Sequence, residues 1–175
     1  MLTDTHAHLD FPDFADDLPA LLDRATAAGV TRILTIGTSI ESSRRAVALA
    51  EQYPQVFAVI GVHPGSAAAA TEDFMDELRT LARSPRVVAL GETGLDYHRL
   101  PGEALRGHPF QAQALRGIGF VSTELPGDAS ASLRDSAEKN AQMIVFEQHL
   151  DLAAELGLNV VIHERDAWDD TLAIL

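Results

Sequence analysis

The stretch LTDTHAHLD, residues 2–10, begins as a short strand and places His6 and His8 where that strand should end. In an extended segment successive side chains alternate between the two faces, so the two imidazoles point the same way and can reach one object together. A metal ion is the object that best fits such a pair. The stretch therefore predicts a strand whose carboxyl end carries chemistry.

The rest of the chain repeats the pattern of a strand followed by a helix. Short apolar runs alternate with longer, alanine-rich amphipathic stretches, which is typical of β-α units. The predicted strands are Leu2–Thr5, Arg32–Ile36, Val56–Val62, Val87–Leu90 and Asn159–Ile162. The predicted helices are Asp16–Ala28, Ser42–Gln52, Thr71–Arg83, Ala141–Leu156 and Asp166–Leu175. Five β-α units in succession predict an α/β protein with a parallel sheet joined by right-handed crossovers.

The position of the polar residues decides between an open sheet and a barrel. In a (β/α)8 barrel the reacting groups gather at the carboxyl ends of the strands, and several strands contribute. An open sheet more often carries a glycine-rich phosphate loop after its first strand, and none follows here. The polar residues that follow predicted strands are His6, His8, His63, Glu92 and His163. We therefore predict a TIM-type (β/α) barrel.

Five strands are too few to close such a barrel, which takes eight strands and about 250 residues. The chain has 175 residues. Either it is a fragment of a longer protein, or a partner completes the sheet, or further strands lie in the irregular region. The final DAWDDTLAIL stops within a helical pattern, which favours the first alternative. We expect an incomplete barrel that forms a single domain over residues 1–175.

A long irregular segment, residues 99–140, separates the fourth predicted strand from the helix before the fifth. It contains many glycines and prolines, and its acidic and basic side chains balance, so the remainder carries the whole net charge of −13. A connection of this length within a compact domain is usually a functional lid, an insertion or a disordered segment. Phe110 and Phe120 favour a lid that contacts substrate, but a tolerated surface insertion fits equally well.

Composition excludes several classes of function. Cysteine is absent, which rules out disulfides, thiolate nucleophiles and cysteine-ligated zinc, so any metal must be held by His, Asp and Glu. The chain has no run of about 18 apolar residues and no signal-peptide pattern, so we expect no membrane contact and a cytoplasmic location. The 26 acidic residues against 13 basic ones disfavour broad wrapping of duplex nucleic acid. A phosphate substrate would need local help, such as bound divalent cations.

Each candidate ligand also has an ordinary structural explanation. A lone histidine at a strand end is more often hydrogen-bonded than metal-bound. The HxH pair, Glu92 within GETG and His163 after VVI all fall at one predicted rim, which favours a metal site over independent structural uses. Glu92 could instead pair with Arg165, although other carboxylates flank Arg165 in sequence. A carboxylate near an apolar core needs a neutralising partner, and its two oxygens can bridge two ions.

Four motifs in order, THAHLD, GVHP, GETGLDYH and VIHERDAWDD, resemble those of the TatD family of metal-dependent deoxyribonucleases in the amidohydrolase superfamily. The resemblance covers most of residues 1–98 and 141–175. It implies a barrel with a two-metal site that acts on phosphodiester bonds. The implied metal ligands are His6, His8, Glu92 and His163, with Glu92 bridging the ions as the catalytic residue. The implied substrate-binding residues are His63, Asp96, Tyr97 and Arg165.

The resemblance also implies the cofactors and partners of the site. It favours two divalent ions, and Mg, Mn or Zn is compatible with imidazole and carboxylate ligands. The expected substrate is DNA, at ends or in single strands, because an acidic chain suits a modest footprint. The family's pattern continues with another metal-binding His and an Asp beyond this chain's last residue. The segment 99–140 is also longer than the connection that such proteins usually have there.

Two alternatives remain open from the sequence. Amidohydrolase-like barrels that begin with HxH also cleave amides, lactones or phosphoesters, so that motif alone does not select the substrate. The motif GETGLDYH favours the nuclease. The second alternative is a truncated chain that is inactive without a partner or a further segment, since the four candidate ligands would then form an incomplete site.

Overall fold

The computed structural model describes residues 1–98, 100 and 127–175, with the backbone alone for residues 127–132. Its strands are β1 Leu2–Ala7, β2 Val30–Ile36, β3 Val56–Ile60, β4 Val87–Asp96 and β5 Asn159–Arg165. They form one sheet in the order of the sequence, and every neighbouring pair is parallel. The sheet is curled as half of a barrel, so the predicted α/β fold, an incomplete TIM-type barrel, is confirmed.

Helices pack against the sheet, and the first four of them contribute buried residues to its main core. They are α1 Leu18–Ala27, α2 Ile40–Gln52, α3 Phe74–Leu81, α4 Gly127–Leu156 and α5 Trp168–Ile174. Ser39 caps α2, because its hydroxyl accepts a hydrogen bond from the Ser42 N–H. Short 3-10 turns follow β1 at Pro12–Phe14 and β3 at Pro64–Ala69. Among the described helices, none is long and apolar enough to cross a membrane.

The two faces of the sheet carry separate apolar clusters. Ala58 and Ile60 of β3 belong to the main core, together with Leu78 of α3. Val59 belongs to a smaller cluster with Ile36 of β2. Successive side chains of a strand point to opposite faces of the sheet, so the residues that enter the two clusters show which face each neighbouring polar side chain must take.

β4 is longer than the predicted Val87–Leu90, and this part of the prediction is wrong. Glycines in the GETG motif suggest an end to the strand, but β4 passes through them and pairs with β5 up to its last residue. Gly94 has φ +136°, and a side chain there would collide with the His163 carbonyl of β5. The missing side chain lets β5 approach closely, so Glu92 and Asp96 both lie within one strand.

The helix before β5 begins earlier than predicted. The sequence pattern places its start at Ala141, whereas α4 begins at Gly127. Residues 128–156 contain neither glycine nor proline and are rich in strong helix formers, but the first turns are too polar to show an apolar stripe. Residues 127–140 of the predicted insertion are therefore helical. Residue 99 and residues 101–126 lie outside the described part, and a lid or insertion there stays a prediction.

Candidate metal centre

The structure places six predicted site residues together at the carboxyl end of the sheet. They are His6 of β1, His8 just after it, His63 after β3, Glu92 and Asp96 of β4, and His163 of β5. The carboxyl ends of parallel strands share one edge, so residues distant in sequence meet there. Two overlapping groups of three could hold a cation, and within each group the ligand atoms lie within 4.8 Å of one another. Glu92 belongs to both groups.

The first group consists of His6, His8 and Glu92. Glu92 Oε2 lies 3.5 Å from His6 Nε2 and 4.0 Å from His8 Nε2. The Nδ1 of His8 lies 2.9 Å from the Ile36 carbonyl oxygen, to which it donates its proton. This bond leaves the lone pair of Nε2 facing Glu92, and metal-binding histidines are commonly oriented by such a backbone contact. The three side chains therefore fit one divalent ion.

The second group consists of His63, Glu92 and His163. His163 Nδ1 lies 2.8 Å from Glu92 Oε1, so the two carboxylate oxygens of Glu92 face different histidines. The rings of His63 and His163 meet edge to face, with centroids 4.4 Å apart. The Nδ1 of His63 accepts a hydrogen bond from the Gly65 N–H at 3.0 Å. A neutral imidazole with an accepting Nδ1 carries its proton on Nε2, so His63 suits a hydrogen-bond donor better than a metal ligand, although its spacing would allow either.

Asp96 lies on the far side of the His163 ring. Its Oδ2 is 3.2 Å from His163 Nε2, and Asp96 is only 1% exposed. The ring therefore meets a carboxylate at each nitrogen. The contacts with Glu92 and Asp96 are both favourable in two arrangements. Either both nitrogens of His163 carry a proton, or one nitrogen carries a proton and the other binds a cation. The second arrangement would keep the proton on Nε2, facing Asp96, and present Nδ1 to a cation beside Glu92.

The surroundings of Glu92 also fit a cation. Its side chain is 10% exposed, and its ion-pair contacts within the described residues are to His6, His8 and His163. A carboxylate with so little access to water is costly unless positive charge compensates it. The alternative partner, Arg165, forms no side-chain hydrogen bond or ion pair with the described part of the chain. Carboxylate and imidazole donors without thiolate suit Mg, Mn or Zn.

Tyr97 is engaged with helices rather than with the two groups of ligands. Its hydroxyl donates to Asp170 Oδ2 of α5 at 2.7 Å, and the Lys139 ammonium of α4 lies 4.0 Å from its ring centroid. Burial raises the pKa of Tyr97, and the hydrogen bond to Asp170 raises it further. A contact of Tyr97 with substrate stays a prediction, as does the substrate contact assigned to Arg165.

Two buried polar residues of α4, next to the site, were not predicted from the sequence. Gln142 is 3% exposed and His149 is fully buried. They lie seven residues apart, so they share the helix face on which Phe146 and Leu152 are buried. A polar side chain on the apolar stripe of a helix is the signal that could have identified them.

A family model and the curated relatives of this chain point to the same protein family. A family model described as TatD related DNase matches residues 3–175. The "Uncharacterized metal-dependent hydrolase YabD" of Bacillus subtilis is 33% identical over 175 residues, which is 100% of this chain and 55% of that protein. The "3'-5' ssDNA/RNA exonuclease TatD" of Enterobacter lignolyticus is 33% identical over 172 residues, covering 98% of this chain and 53% of that protein.

The solved structures agree with this relationship. The crystal structure of YjjV, a TatD homologue from Escherichia coli, matches with a TM-score of 0.72 at 29% identity, covering 98% of this chain and 54% of that one. A TatD family hydrolase from Entamoeba histolytica matches at 21% identity with a TM-score of 0.67, which supports the fold alone. The chain spans about half the length of the curated relatives it matches.

Proposed function

Because the chain belongs to the TatD related DNase family, we propose that it is a divalent-metal-dependent hydrolase that cleaves phosphodiester bonds of DNA, at ends or in single strands. The observation that carries the proposal is the position of Glu92, whose two oxygens face His6 of β1 and His163 of β5. A carboxylate placed between two groups of histidines can bridge two cations, which is the layout used for two-metal hydrolysis of phosphate esters.

We assign each histidine to one of the two ions according to the Glu92 oxygen that its ring nitrogen faces. His6 and His8 would hold one ion, His163 would hold the other, and Glu92 would be shared as the catalytic carboxylate. Two divalent ions, with Mg, Mn or Zn as candidates, would supply a nucleophile from water near neutral pH and neutralise charge on the phosphate.

The neighbouring side chains of the chain orient and stabilise this arrangement. His63, with its proton on Nε2, would donate a hydrogen bond to a phosphate oxygen, and that bond strengthens as negative charge builds there. Asp96 would accept a hydrogen bond from the Nε2–H of His163 and so keep the ring in the tautomer whose Nδ1 binds an ion. His63 would therefore act on substrate, and Asp96 would act through His163.

Charge favours a small footprint on nucleic acid. The net charge of −13 repels a polyanion except where cations or a few basic side chains attract it. We expect binding to single-stranded ends through about three phosphate contacts or fewer, and hence a shallow dependence on salt. One relative is named a 3'-5' ssDNA/RNA exonuclease, so RNA is a second substrate of the same chemical class to test.

The test is the release of nucleotides from end-labelled oligonucleotides. Single-stranded DNA, duplex DNA and RNA are incubated with the chain and Mg²⁺ or Mn²⁺, alongside a small amide and a lactone, with a chelator as the blank. Glu92→Gln removes the charge of the shared carboxylate and should lower the rate by at least about 100-fold. Glu72→Gln neutralises an exposed carboxylate that belongs to neither group of candidate ligands, and it should leave the rate unchanged.

Two results would contradict the proposal. Equal rates for the wild-type chain and Glu92→Gln would show that the shared carboxylate is not needed. Hydrolysis of the amide or lactone without nucleotide release would assign the site to another class of substrate.

A further inference from the structure

Gln142 of α4 forms two hydrogen bonds with the backbone of Asp96, the last residue of β4. Its Oε1 accepts from the Asp96 N–H at 2.9 Å, and its Nε2 donates to the Asp96 carbonyl oxygen at 3.2 Å. The side-chain amide thus pairs with a backbone donor and acceptor as a neighbouring strand would. Because Gln142 is buried, water cannot replace either bond. Loss of the Gln142 amide would therefore leave the backbone N–H and carbonyl of Asp96 unpaired, which is costly.

β4 needs such a partner because β3 stops earlier. Pairing between β3 and β4 ends at Ile60, whereas β4 continues to Asp96. On the opposite edge, the Tyr97 N–H donates to the Arg165 carbonyl of β5. Successive strand residues direct their backbone groups to opposite sides, so those of Asp96 face the side where β3 has ended. The amide of Gln142 occupies that position.

His149, two turns further along α4, makes the corresponding contact with the segment after β3. Its Nε2 accepts from the Val62 N–H at 3.1 Å, and its Nδ1 lies 2.7 Å from the Val145 carbonyl oxygen, to which it donates. The ring also stacks on Phe74, with centroids 5.6 Å apart. Val62 directly precedes His63, so the bond from His149 lies one residue away from a side chain of the candidate centre.

We propose that Gln142 and His149 are positioning residues that hold the ends of β4 and β3 in the geometry required by the metal centre. Gln142 acts through Asp96, whose carboxylate lies 3.2 Å from His163 Nε2. His149 acts through the backbone that leads into His63, whose ring meets that of His163. Both stand on one helix, so the two contacts are fixed relative to each other. The inference rests on the proposed function, in which His163 binds an ion.

Four variants of the full chain separate positioning from general stability. Gln142→Met keeps the length of the side chain but removes its donor and acceptor. His149→Phe keeps a ring against Phe74 without an acceptor, whereas His149→Gln places an oxygen near the former Nε2 and should restore the bond to Val62. Leu152→Val, buried on the same helix face, serves as a destabilised control that makes no polar contact.

The first measurement uses the metal-free chain and records the imidazole nitrogen NMR resonances. We expect Gln142→Met to shift the resonances of His163 and to leave those of His6 unchanged. His149→Phe should shift the resonances of His63, and His149→Gln should return them toward the wild-type positions. Leu152→Val should lower the melting temperature without moving either set.

The second measurement is Mn²⁺ affinity by titration calorimetry on the same variants. Loss of a residue that orients a ligand typically weakens metal binding by about 10-fold to 100-fold. We expect a loss of at least about tenfold for Gln142→Met and no change for Leu152→Val. The inference is overturned if Gln142→Met leaves the His163 resonances and the affinity unchanged, or if Leu152→Val reproduces both effects.

The two measurements also distinguish the two proposals. A wild-type chain that binds no Mn²⁺ contradicts the proposed function. In that case the resonances of the metal-free chain still decide whether Gln142 and His149 position the histidines.

Discussion

His163 of β5 presents its Nδ1 2.8 Å from Oε1 of Glu92 in β4. The other oxygen of Glu92 faces His6 of β1, at the opposite edge of the half-barrel. One carboxylate thus joins the first and last strands of the sheet through imidazole contacts. Glu92 is therefore the residue that links the two groups of candidate ligands.

His63 should act on substrate rather than on the metal ions. Because its Nδ1 accepts the Gly65 N–H, its Nε2 carries the proton, which suits a hydrogen-bond donor better than a metal ligand. We predict that His63→Ala lowers the cleavage rate by about 100-fold, as expected for a lost donor to developing charge. Mn²⁺ affinity, measured by titration calorimetry, should stay within about twofold of wild type.

The matched control for His63 is His6→Ala, which removes an assigned ligand. It should weaken Mn²⁺ binding as well as cleavage. If His63→Ala weakens Mn²⁺ binding as strongly as His6→Ala does, His63 is a ligand and the tautomer assigned to it is wrong.

Arg86 should be important for stability at the end of the sheet away from the site. Its guanidinium donates to the carbonyl oxygens of Ala50 at 2.8 Å and Pro54 at 2.7 Å and also bonds the Val56 carbonyl, and it lies 4.2 Å from the centroid of the Phe57 ring. A lysine cannot reach these acceptors together. We predict that Arg86→Lys lowers the free energy of unfolding by about 2 kcal/mol in urea denaturation.

The control for Arg86 is Arg83→Lys, since Arg83 is exposed and lies three residues earlier in the sequence. Its effect should stay within about 0.5 kcal/mol. Equal stability of the two variants would show that the carbonyl contacts of Arg86 contribute nothing.

Gly94 should not tolerate a side chain. Its φ of +136° is unfavourable for other residues, and a Cβ would meet the His163 carbonyl. Gly29 has φ +91° and open space around it, so Gly29→Ala isolates the cost of the backbone conformation, about 1 kcal/mol. We predict a clearly larger loss of unfolding free energy for Gly94→Ala. Equal losses would mean that the close approach of β5 has no energetic consequence.

His149 should make stability depend on pH. Its contacts are the uncharged Val62 N–H, Val145 carbonyl and Phe74 ring, and burial lowers the pKa of His149 from 6.5 to about 4. Between these values the unfolded chain binds a proton that the folded chain does not. The free energy of unfolding should therefore fall as pH decreases through this window, by up to about 3 kcal/mol.

Denaturation of wild type and His149→Gln at several pH values isolates this contribution from that of the other histidines. The variant should lose less stability than wild type between pH 6.5 and pH 4. Parallel pH profiles would show that His149 is not the group that titrates.

The parts of the site that could be predicted from sequence are those that chemistry restricts. Few side chains bind metal, and strand ends share one edge, so the HxH pair, Glu92 and His163 could be placed together from pattern alone. Gln142 and His149 could not, because their role depends on which backbone groups remain unpaired after the strands assemble. The length of β4 could not be predicted for a similar reason. A glycine at position 94 suggests the end of a strand, and only the close approach of β5 in the folded chain shows why a strand residue there lacks a side chain.

The most direct test of the account is the number of Mn²⁺ ions bound by the chain, measured by titration calorimetry with Glu92→Ala as the comparison. We predict two ions per chain in the wild type, and weaker binding of both in Glu92→Ala, because one carboxylate serves both ions. The double variant His6→Ala, His8→Ala should lose one ion and retain the other. Two ions bound equally tightly by wild type and Glu92→Ala, or a wild-type chain that binds no ion, would contradict the account.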